Sequence, residues 1–426
     1  MQICNLLINF CSVVRVKAVI VIGDGMADRQ LKELNHLTPL EIAEPKNMDR
    51  VASLGVSGLL YALSPGVAPG SDVATLAILG YDPYKVYTGR GGLEAVGAGI
   101  ELRDGDVAFR CDFATVNEDL VVIDERAGRV REGIPELAAQ IRDLRLKLAS
   151  DVEIMFKQTL GFKGVLVLRG EGLSPNVSAH KPKLGLRADL IRPLDDSKEA
   201  KRTADILNEF IRASYSVLND HPVNQERRFR GKPPANVLIP WGSGTRPNLA
   251  PLQERYGLRG ACVAAVSLIK GICRLSGMDV IDVPGATGEI DTNTMAKASA
   301  ALEALNDHDL VLVHVEGSDE ASHDGDLLGK VSIIKKIDLM VGAILEKVDL
   351  EETCIVLLAD HATPVKLKKH VADPTPITIA GLDMVRDGVS NYNERTAYRG
   401  GLGCIRGRHV MPILLNLLGR PMRFGA

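Results

Sequence analysis

Three apolar stretches of the chain end in acids. Ile355–Ala359 runs straight into Asp360-His361, and a second histidine, His370, follows nine residues later. Lys17–Ile22 runs into Gly23-Asp24-Gly25, and Leu310–Val315 into Glu316-Gly317-Ser318-Asp319, with His323 four residues beyond Asp319. Short, unbroken apolar runs predict buried strands of a mostly parallel sheet. Ligands of such sheets gather beyond the carboxyl ends of the strands. Carboxylate and imidazole together form a donor set suited to Zn²⁺ or Mn²⁺. A single Asp-His after a strand also reads as the start of a helix. Three acid-bearing strands in one chain favour a metal site.

Ser71 adds a nucleophile to the set. It follows the rigid stretch Pro65–Gly70 and opens a helix-like run, Val73–Leu79. It reads as an N-cap, or as a nucleophile at a helix N-terminus, where amide groups and the helix dipole favour a phosphate. Metal coordination would activate its oxygen. Asp24, Ser71, Asp319, His323, Asp360, His361 and His370 are too many ligands for one tetrahedral ion and suit two. Asp319 and His323, four apart, share a helix face. One ion is assigned Asp319, His323 and His370, the other Asp24, Asp360, His361 and Ser71. A metal pair stabilises both the attacking and leaving oxygens of an in-line displacement. The residues thus point to phosphoryl or sulfuryl transfer through a serine, with hydrolase and mutase both open.

These side chains need a sheet to hold them. Alternating strands and helices predict an α/β fold, a mostly parallel sheet with helices on both faces. Helices are expected over 45–55, 199–218, 260–275, 292–305, 325–350 and 410–418. Between 117 and 185 the texture changes to a β-α-β-β order, with strands at 120–123, 152–157 and 164–168 and a helix over 134–148. That segment reads as a small inserted α+β domain, with residues 16–116 and 186–426 forming the metal-binding core. The turn Thr88–Gly92 approaches a phosphate or enters a helix. No Walker A motif is present, and Gly23-Asp24-Gly25 matches a dinucleotide fingerprint only weakly.

The 426 residues carry a formal net charge of -3, which gives no electrostatic case for nucleic acid or an anionic membrane. Seven scattered cysteines without a C-x-x-C spacing fit buried free thiols in a reducing cytoplasm. The apolar N-terminus lacks a basic n-region and a cleavage site, so residues 1 to about 15 read as a loose extension. The apolar helices allow a homo-oligomer.

The ordered motifs GDGMAD (23–28), PGSDVATLAILGYDP (69–83), YTGRGGLEAVGAGIEL (87–102), DVAFRCDFATV (106–116) and GVLVLRGEGLS (164–174) extend the argument. So do PPANVLIPWGSG (233–244), DEASHDGD (319–326), ADHATPVKLKKHVADPTP (359–376) and GRHVMPILLNLLG (407–419). From about residue 17 onward the chain resembles the archaeal-type cofactor-independent phosphoglycerate mutases of the alkaline phosphatase superfamily. The resemblance implies an alkaline-phosphatase-like core and interconversion of 3-phosphoglycerate and 2-phosphoglycerate through a phosphoserine at Ser71. It also implies two divalent ions (Mn²⁺, Zn²⁺ or Mg²⁺) and no requirement for 2,3-bisphosphoglycerate. The inserted domain would close over free glycerate and exclude water. Arg90, Arg169 and Arg246 are the arginines expected to clamp substrate carboxylate and phosphate. Two departures fall near the expected substrate side: Glu316 where the family usually has lysine, and the run 176–182 in place of an Asp-Thr-Asp-Pro-His stretch. A phosphatase or another phosphotransferase resembling the homoserine-kinase-like relatives is the alternative enzyme, and a metal-binding pseudoenzyme the alternative class.

Overall fold

In the computed structural model, which describes residues 16–423 and 425, Lys17–Gly23 forms a strand whose residues Ala18–Ile22 are fully buried. Both faces are covered, as an unbroken apolar run requires. The expected loose extension lies outside the described residues. Thirteen strands are described, β1 to β13 in chain order. They fall into two compact units.

The first unit holds the chain up to Pro83, Ala250–Ala265 and everything from Ser276 on. Its eight strands are β1 (Lys17–Gly23), β2 (Gly55–Tyr61), β8 (Gly260–Val263), β9 (Asp279–Ile281), β10 (Leu310–Val315), β11 (Thr353–Leu358), β12 (Thr375–Ala380) and β13 (Gly403–Arg406). The sheet order is β13-β2-β12-β11-β1-β10-β8-β9. Only β12 runs antiparallel to its neighbours. The fold is the expected mostly parallel α/β sheet. Register places Ile22 of β1 beside His314 of β10 on one side and Leu358 of β11 on the other. The three strands therefore release Asp24, the Glu316–Asp319 turn and Asp360 at one edge. Val19, Val21, Val311, Val313, Ile355 and Leu357 pack with Ile333, Ile337 and Met340 of the Leu327–Leu345 helix. Burying each such side chain contributes roughly 1.5–3 kcal/mol.

The helix expected over 260–275 is instead a strand, β8, followed by a helix over Ser267–Leu275. Gly260–Val263 pairs in parallel with β10 and β9, and this pairing overrides a local pattern that a short apolar run leaves ambiguous. The helix expected over 325–350 spans Leu327–Leu345, and a separate helix, Gly317–Asp324, precedes it. Gly325 separates the two in the left-handed region, φ 76°.

The second unit comprises Tyr84–Leu249 and Val266–Leu275. Its antiparallel strands β3 (Val107–Val116), β4 (Val122–Asp124), β5 (Glu153–Gln158), β6 (Lys163–Arg169) and β7 (Val237–Gly244) run in the order β4-β3-β6-β5, with β7 also on β3. The β-α-β-β segment 117–185 lies within this unit. The unit extends further because β3, buried at all ten positions, pairs with both β6 and β7. The helix expected over 134–148 ends at Arg142. The amides of Lys147 and Leu148 leave the helical pattern to bond the Glu209 carboxylate at 2.7 and 2.9 Å. Thr88–Gly92 is a helix entry. Its glycines allow close packing, since a Cβ on Gly91 would meet Ala108 O at 2.0 Å and one on Gly92 would meet Thr245 O at 1.8 Å.

Candidate active site

Ser71 begins the Ser71–Ile78 helix rather than capping it. Gly70 is the N-cap, and no side chain caps the helix. The serine hydroxyl is thus free for other work, and it turns toward the strand ends. Ser71 Oγ stands 3.3 Å from Asp24 Oδ1 and 3.2 Å from His361 Nε2, which is itself 3.1 Å from Asp24 Oδ1 and 3.6 Å from Asp360 Oδ2. A second group adjoins it. His323 Nε2 and His370 Nε2 lie 3.3 and 3.4 Å from the Asp319 carboxylate and 3.2 Å from each other. The His370 ring stacks on His361 with centroids 3.8 Å apart. All seven residues singled out in the sequence are thereby brought together, within the first unit.

The outer nitrogens of the three histidines have fixed partners. His323 Nδ1 lies 2.9 Å from Lys368 O, and His370 Nδ1 2.8 Å from Pro69 O. A carbonyl only accepts, so each Nδ1 carries the proton. His361 Nδ1 lies 3.0 Å from Thr363 Oγ1, whose own proton goes to Asp319 Oδ1 at 2.7 Å. Thr363 must therefore accept from His361. In the neutral rings all three Nε2 lone pairs converge on one another and on carboxylate oxygens. Lone pairs at 3.2 Å repel unless a cation lies between them. Ligating histidines characteristically donate their other nitrogen in this way.

Burial sharpens the demand for a cation. Asp360 Oδ1 accepts from the amides of Gly25 and His361 at 3.1 and 3.0 Å, which leaves Oδ2 turned inward without a hydrogen bond. Asp24 Oδ2 and His314 Nε2 face each other at 3.0 Å, yet neither makes a hydrogen bond of acceptable geometry. Such buried orphans are rare in proteins and costly. Burial would lower the His361 pKa, but Asp360 and Asp24 beside it push it up to about 10. Burial and the Asp24 charge push Asp360 up to about 7. Burial opposes ionisation of Asp319, but bonds from His323 and His370 hold it well below the usual carboxylate range. Protons do here what a divalent ion does better, and the donor set fits divalent cations.

His314 was not among the ligands drawn from the sequence. With Asp24 and Asp360 it forms a third possible ligand group, beside Asp319-His323-His370 and Asp24-Asp319-His361. The available signal was a lone polar residue in the apolar strand Leu310–Val315. Thr363 and Lys330 were also missed. Buried Lys330 donates to Asp28 Oδ2 at 2.8 Å, Thr363 O at 3.0 Å and Ala27 O at 3.2 Å, and so ties the Asp24 loop to the His361 loop.

The three expected arginines stand in the second unit, each in a different setting. Arg90 pairs with Glu94 at 3.1 Å and lies over Trp241. Arg169 makes a fork with Asp106 at 2.7 and 3.0 Å. Arg246 is exposed and lines a cavity of about 490 Å³ together with Arg274, Glu101 and Asp104. Arg169 Nη2 also donates to Glu101 O at 2.8 Å, and Glu101 shares the Arg246 cavity.

Comparison with known proteins follows the same line. A family model for 2,3-bisphosphoglycerate-independent phosphoglycerate mutase matches residues 52–224. The enzyme of that name numbered 1 from Methanocaldococcus jannaschii is 49% identical over 412 residues, covering 96% of this chain and 99% of its own. The Methanopyrus kandleri enzyme of that name is 51% identical over 417 residues, covering 96% and 98%. Among solved structures, a Pyrococcus horikoshii protein is 38% identical with a TM-score of 0.81, covering 97% of this chain and all of its own. The cofactor-independent phosphoglycerate mutase of Thermoplasma acidophilum is 31% identical with a TM-score of 0.62, covering 95% and 100%.

Proposed function

The chain belongs to the 2,3-bisphosphoglycerate-independent phosphoglycerate mutases, and on that premise we propose that it interconverts 3-phosphoglycerate and 2-phosphoglycerate through a phosphoserine on Ser71. The observation that carries this reading is the convergence of three imidazole Nε2 atoms, three carboxylates and the Ser71 hydroxyl, with every histidine Nδ1 committed elsewhere. Two divalent ions are assigned, one to Asp319, His323 and His370, the other to Asp24, Asp360, His361 and Ser71. Bound there, they supply positive charge that lowers the serine pKa and neutralises the transferring phosphoryl group. Mixed oxygen and imidazole donors suit Mn²⁺ or Zn²⁺, with Mg²⁺ third.

The chain's own part in the reaction is positional. Asp24 Oδ1 at 3.3 Å and His361 Nε2 at 3.2 Å are the acceptors within reach of the Ser71 proton, which leaves as the oxygen is activated. The oxygen then attacks phosphorus, the bond from phosphorus to the glycerate oxygen breaks, and that oxygen takes a proton. The glycerate reorients, and its other hydroxyl gives up its proton and attacks the phosphoserine phosphorus; the bond from phosphorus to the Ser71 oxygen breaks, and that oxygen takes a proton back. The first-turn amides of the Ser71–Ile78 helix present a positive end to the phosphoryl oxygens. Arg90, Arg169 and Arg246 are assigned to the substrate's carboxylate and phosphate. Arg246 has no ion-pair partner among the described residues, whereas Arg90 and Arg169 would exchange Glu94 and Asp106 for the ligand. Free thiols at Cys111, Cys262, Cys354 and Cys404 fit a reducing compartment; Cys404 is exposed, contrary to the expectation of burial. Among the described residues no helix is long and apolar enough to cross a membrane.

The deciding assay is conversion of 3-phosphoglycerate to 2-phosphoglycerate without added 2,3-bisphosphoglycerate, run with Mn²⁺, Zn²⁺, Mg²⁺ or chelator. Metal-dependent conversion that vanishes in Ser71→Ala is expected. Release of inorganic phosphate in place of isomerisation would replace the mutase reading with a phosphatase.

A further inference from the structure

The second unit carries a cluster of cations that the mutase reading does not use. The Pro222–Phe229 helix places Arg227 in its last turn, where the residue is only 8% exposed. Its Nε donates to Pro233 O and its Nη2 to Ala127 O, both at 2.9 Å. No carboxylate lies within ion-pair distance among the described residues, and Nη1 has no acceptor there. Buried arginines are ordinarily paired with an acid, because an uncompensated buried charge is strongly unfavourable. Burial pulls the Arg227 pKa below the usual guanidinium value, against the more distant charges of Glu132 and Asp124.

Arg227 borders a cavity of about 310 Å³ that Arg129, Arg131 and Lys232 also line, with Glu132 as its only acid. Glu132 and Lys232 are both largely exposed and only 3.9 Å apart, so the pair neutralises little. The wall of the cavity is an unusual loop. Ala127, Gly128 and Arg129 are three consecutive left-handed residues, φ 47°, 63° and 53°. Two of the three are not glycine, and such backbone persists only where its surroundings fix it. Here Asp124 accepts from the amides of Arg126 and Gly128 at 2.8 and 3.1 Å, and Arg227 holds Ala127 O. A Cβ on Gly128 would press on Pro233 at 3.2 Å. The loop is thus fixed in a conformation that carries Arg129 to the cavity beside a buried guanidinium with one open edge.

We propose that this cavity is a binding site for a small phosphate-bearing anion, held by Arg227 Nη1 with Arg129, Arg131 and Lys232. Guanidinium forks suit the geometry of phosphate oxygens, and several together outcompete solvent. Free phosphate and the phosphate of a phosphorylated metabolite share this chemistry.

The test titrates inorganic phosphate into the Mn²⁺-loaded enzyme by calorimetry, in the natural chain, in R131A/K232A and in Arg227→Lys. The double variant alters exposed side chains and keeps the test valid if Arg227→Lys fails to fold. The natural chain should show a phosphate site that persists in Ser71→Ala and weakens about tenfold or more in the cation variants. The KM for 3-phosphoglycerate then separates the sources. An unchanged KM supports a separate anion site, and a KM that rises in step with the loss of phosphate binding supports the phosphorylated metabolite as the occupant. Phosphate binding that is the same in the natural chain and R131A/K232A would overturn the proposal.

Discussion

The molecule contains two buried clusters of charge, and they are built on opposite plans. In the second unit Glu94 accepts from Arg110 at 2.8 Å, from Arg90 at 3.1 Å and from Ser267. Arg110 also bonds Asp112 at 2.9 Å, Asp112 takes Trp241 Nε1 at 2.9 Å, and both arginines lie over the Trp241 ring. Each acid has its cation and each donor its acceptor. In the first unit Asp24, Asp319 and Asp360 crowd three histidines whose outer nitrogens are spoken for, and three buried polar atoms, Asp24 Oδ2, His314 Nε2 and Asp360 Oδ2, have no hydrogen bond among the described residues. The completed cluster finds its partners within the chain. The incomplete one has its missing partner outside the chain, and the deficit is what makes it a binding site.

The contrast is broken most severely at Ser71. Ser71→Ala is expected to leave the fold and metal content intact and to reduce turnover by about 10⁴-fold or more; circular dichroism, metal analysis and the isomerisation assay test this together. Substantial turnover in that variant would remove Ser71 from the chemistry. At the completed cluster the effect is on stability. Glu94→Gln leaves two arginines with one buried acid fewer and should cost about 3–5 kcal/mol, measured by urea unfolding. The equivalent change at the incomplete cluster, Asp360→Asn in chelator-treated protein, should instead raise the melting temperature, because it removes one of three crowded negative charges. If both substitutions destabilise alike, the two clusters do not differ in plan.

Acid separates the clusters further. Burial would raise the Glu94 pKa, but Arg110 and Arg90 hold it down at about 2. A depressed carboxylate contributes stability above its unfolded value near 4.5 and loses it as the pH falls toward 2. The second unit should therefore unfold progressively between those values, followed through Trp241 fluorescence, whereas metal is released at higher pH as the histidines take protons. Metal loss and the Trp241 change at the same pH would contradict separate control. The smallest effect belongs to Thr363. Thr363→Val removes the acceptor for His361 Nδ1 and the donor to Asp319, and should weaken Mn²⁺ binding about 10–100-fold with little change in the melting temperature of the metal-free protein.

Most of the clustered side chains were legible because acids after apolar strands are a local signal. A strand announces itself by composition, and the residue that leaves it announces the site. His314 was not legible for the same reason: it lies within the strand and counts as one of its members. Only register, which sets it beside Ile22, brings its Nε2 to 3.0 Å from Asp24 Oδ2. Thr363, Pro69 O and Lys368 O act through geometry that no spacing encodes. β8 was read as helix because four apolar residues fit either period, and pairing with β10 decided the matter. The strand β3 was visible only as part of a longer motif, although it is the spine of the second sheet.

The place of β1 in its sheet has a consequence for how the chain comes into being. β1, the earliest of the described strands, is flanked by β10 and β11, which are made roughly 290 and 340 residues later. Until then β1 has two open edges, and Asp24 and Ser71 have no histidine beside them. During synthesis at about 5–20 residues per second, the growing chain therefore spends tens of seconds with Asp24 and Ser71 made and Asp319, His323, Asp360, His361 and His370 still missing. The activity is withheld until almost the whole chain exists, and this interval is when chaperone protection of the β1 edges matters most.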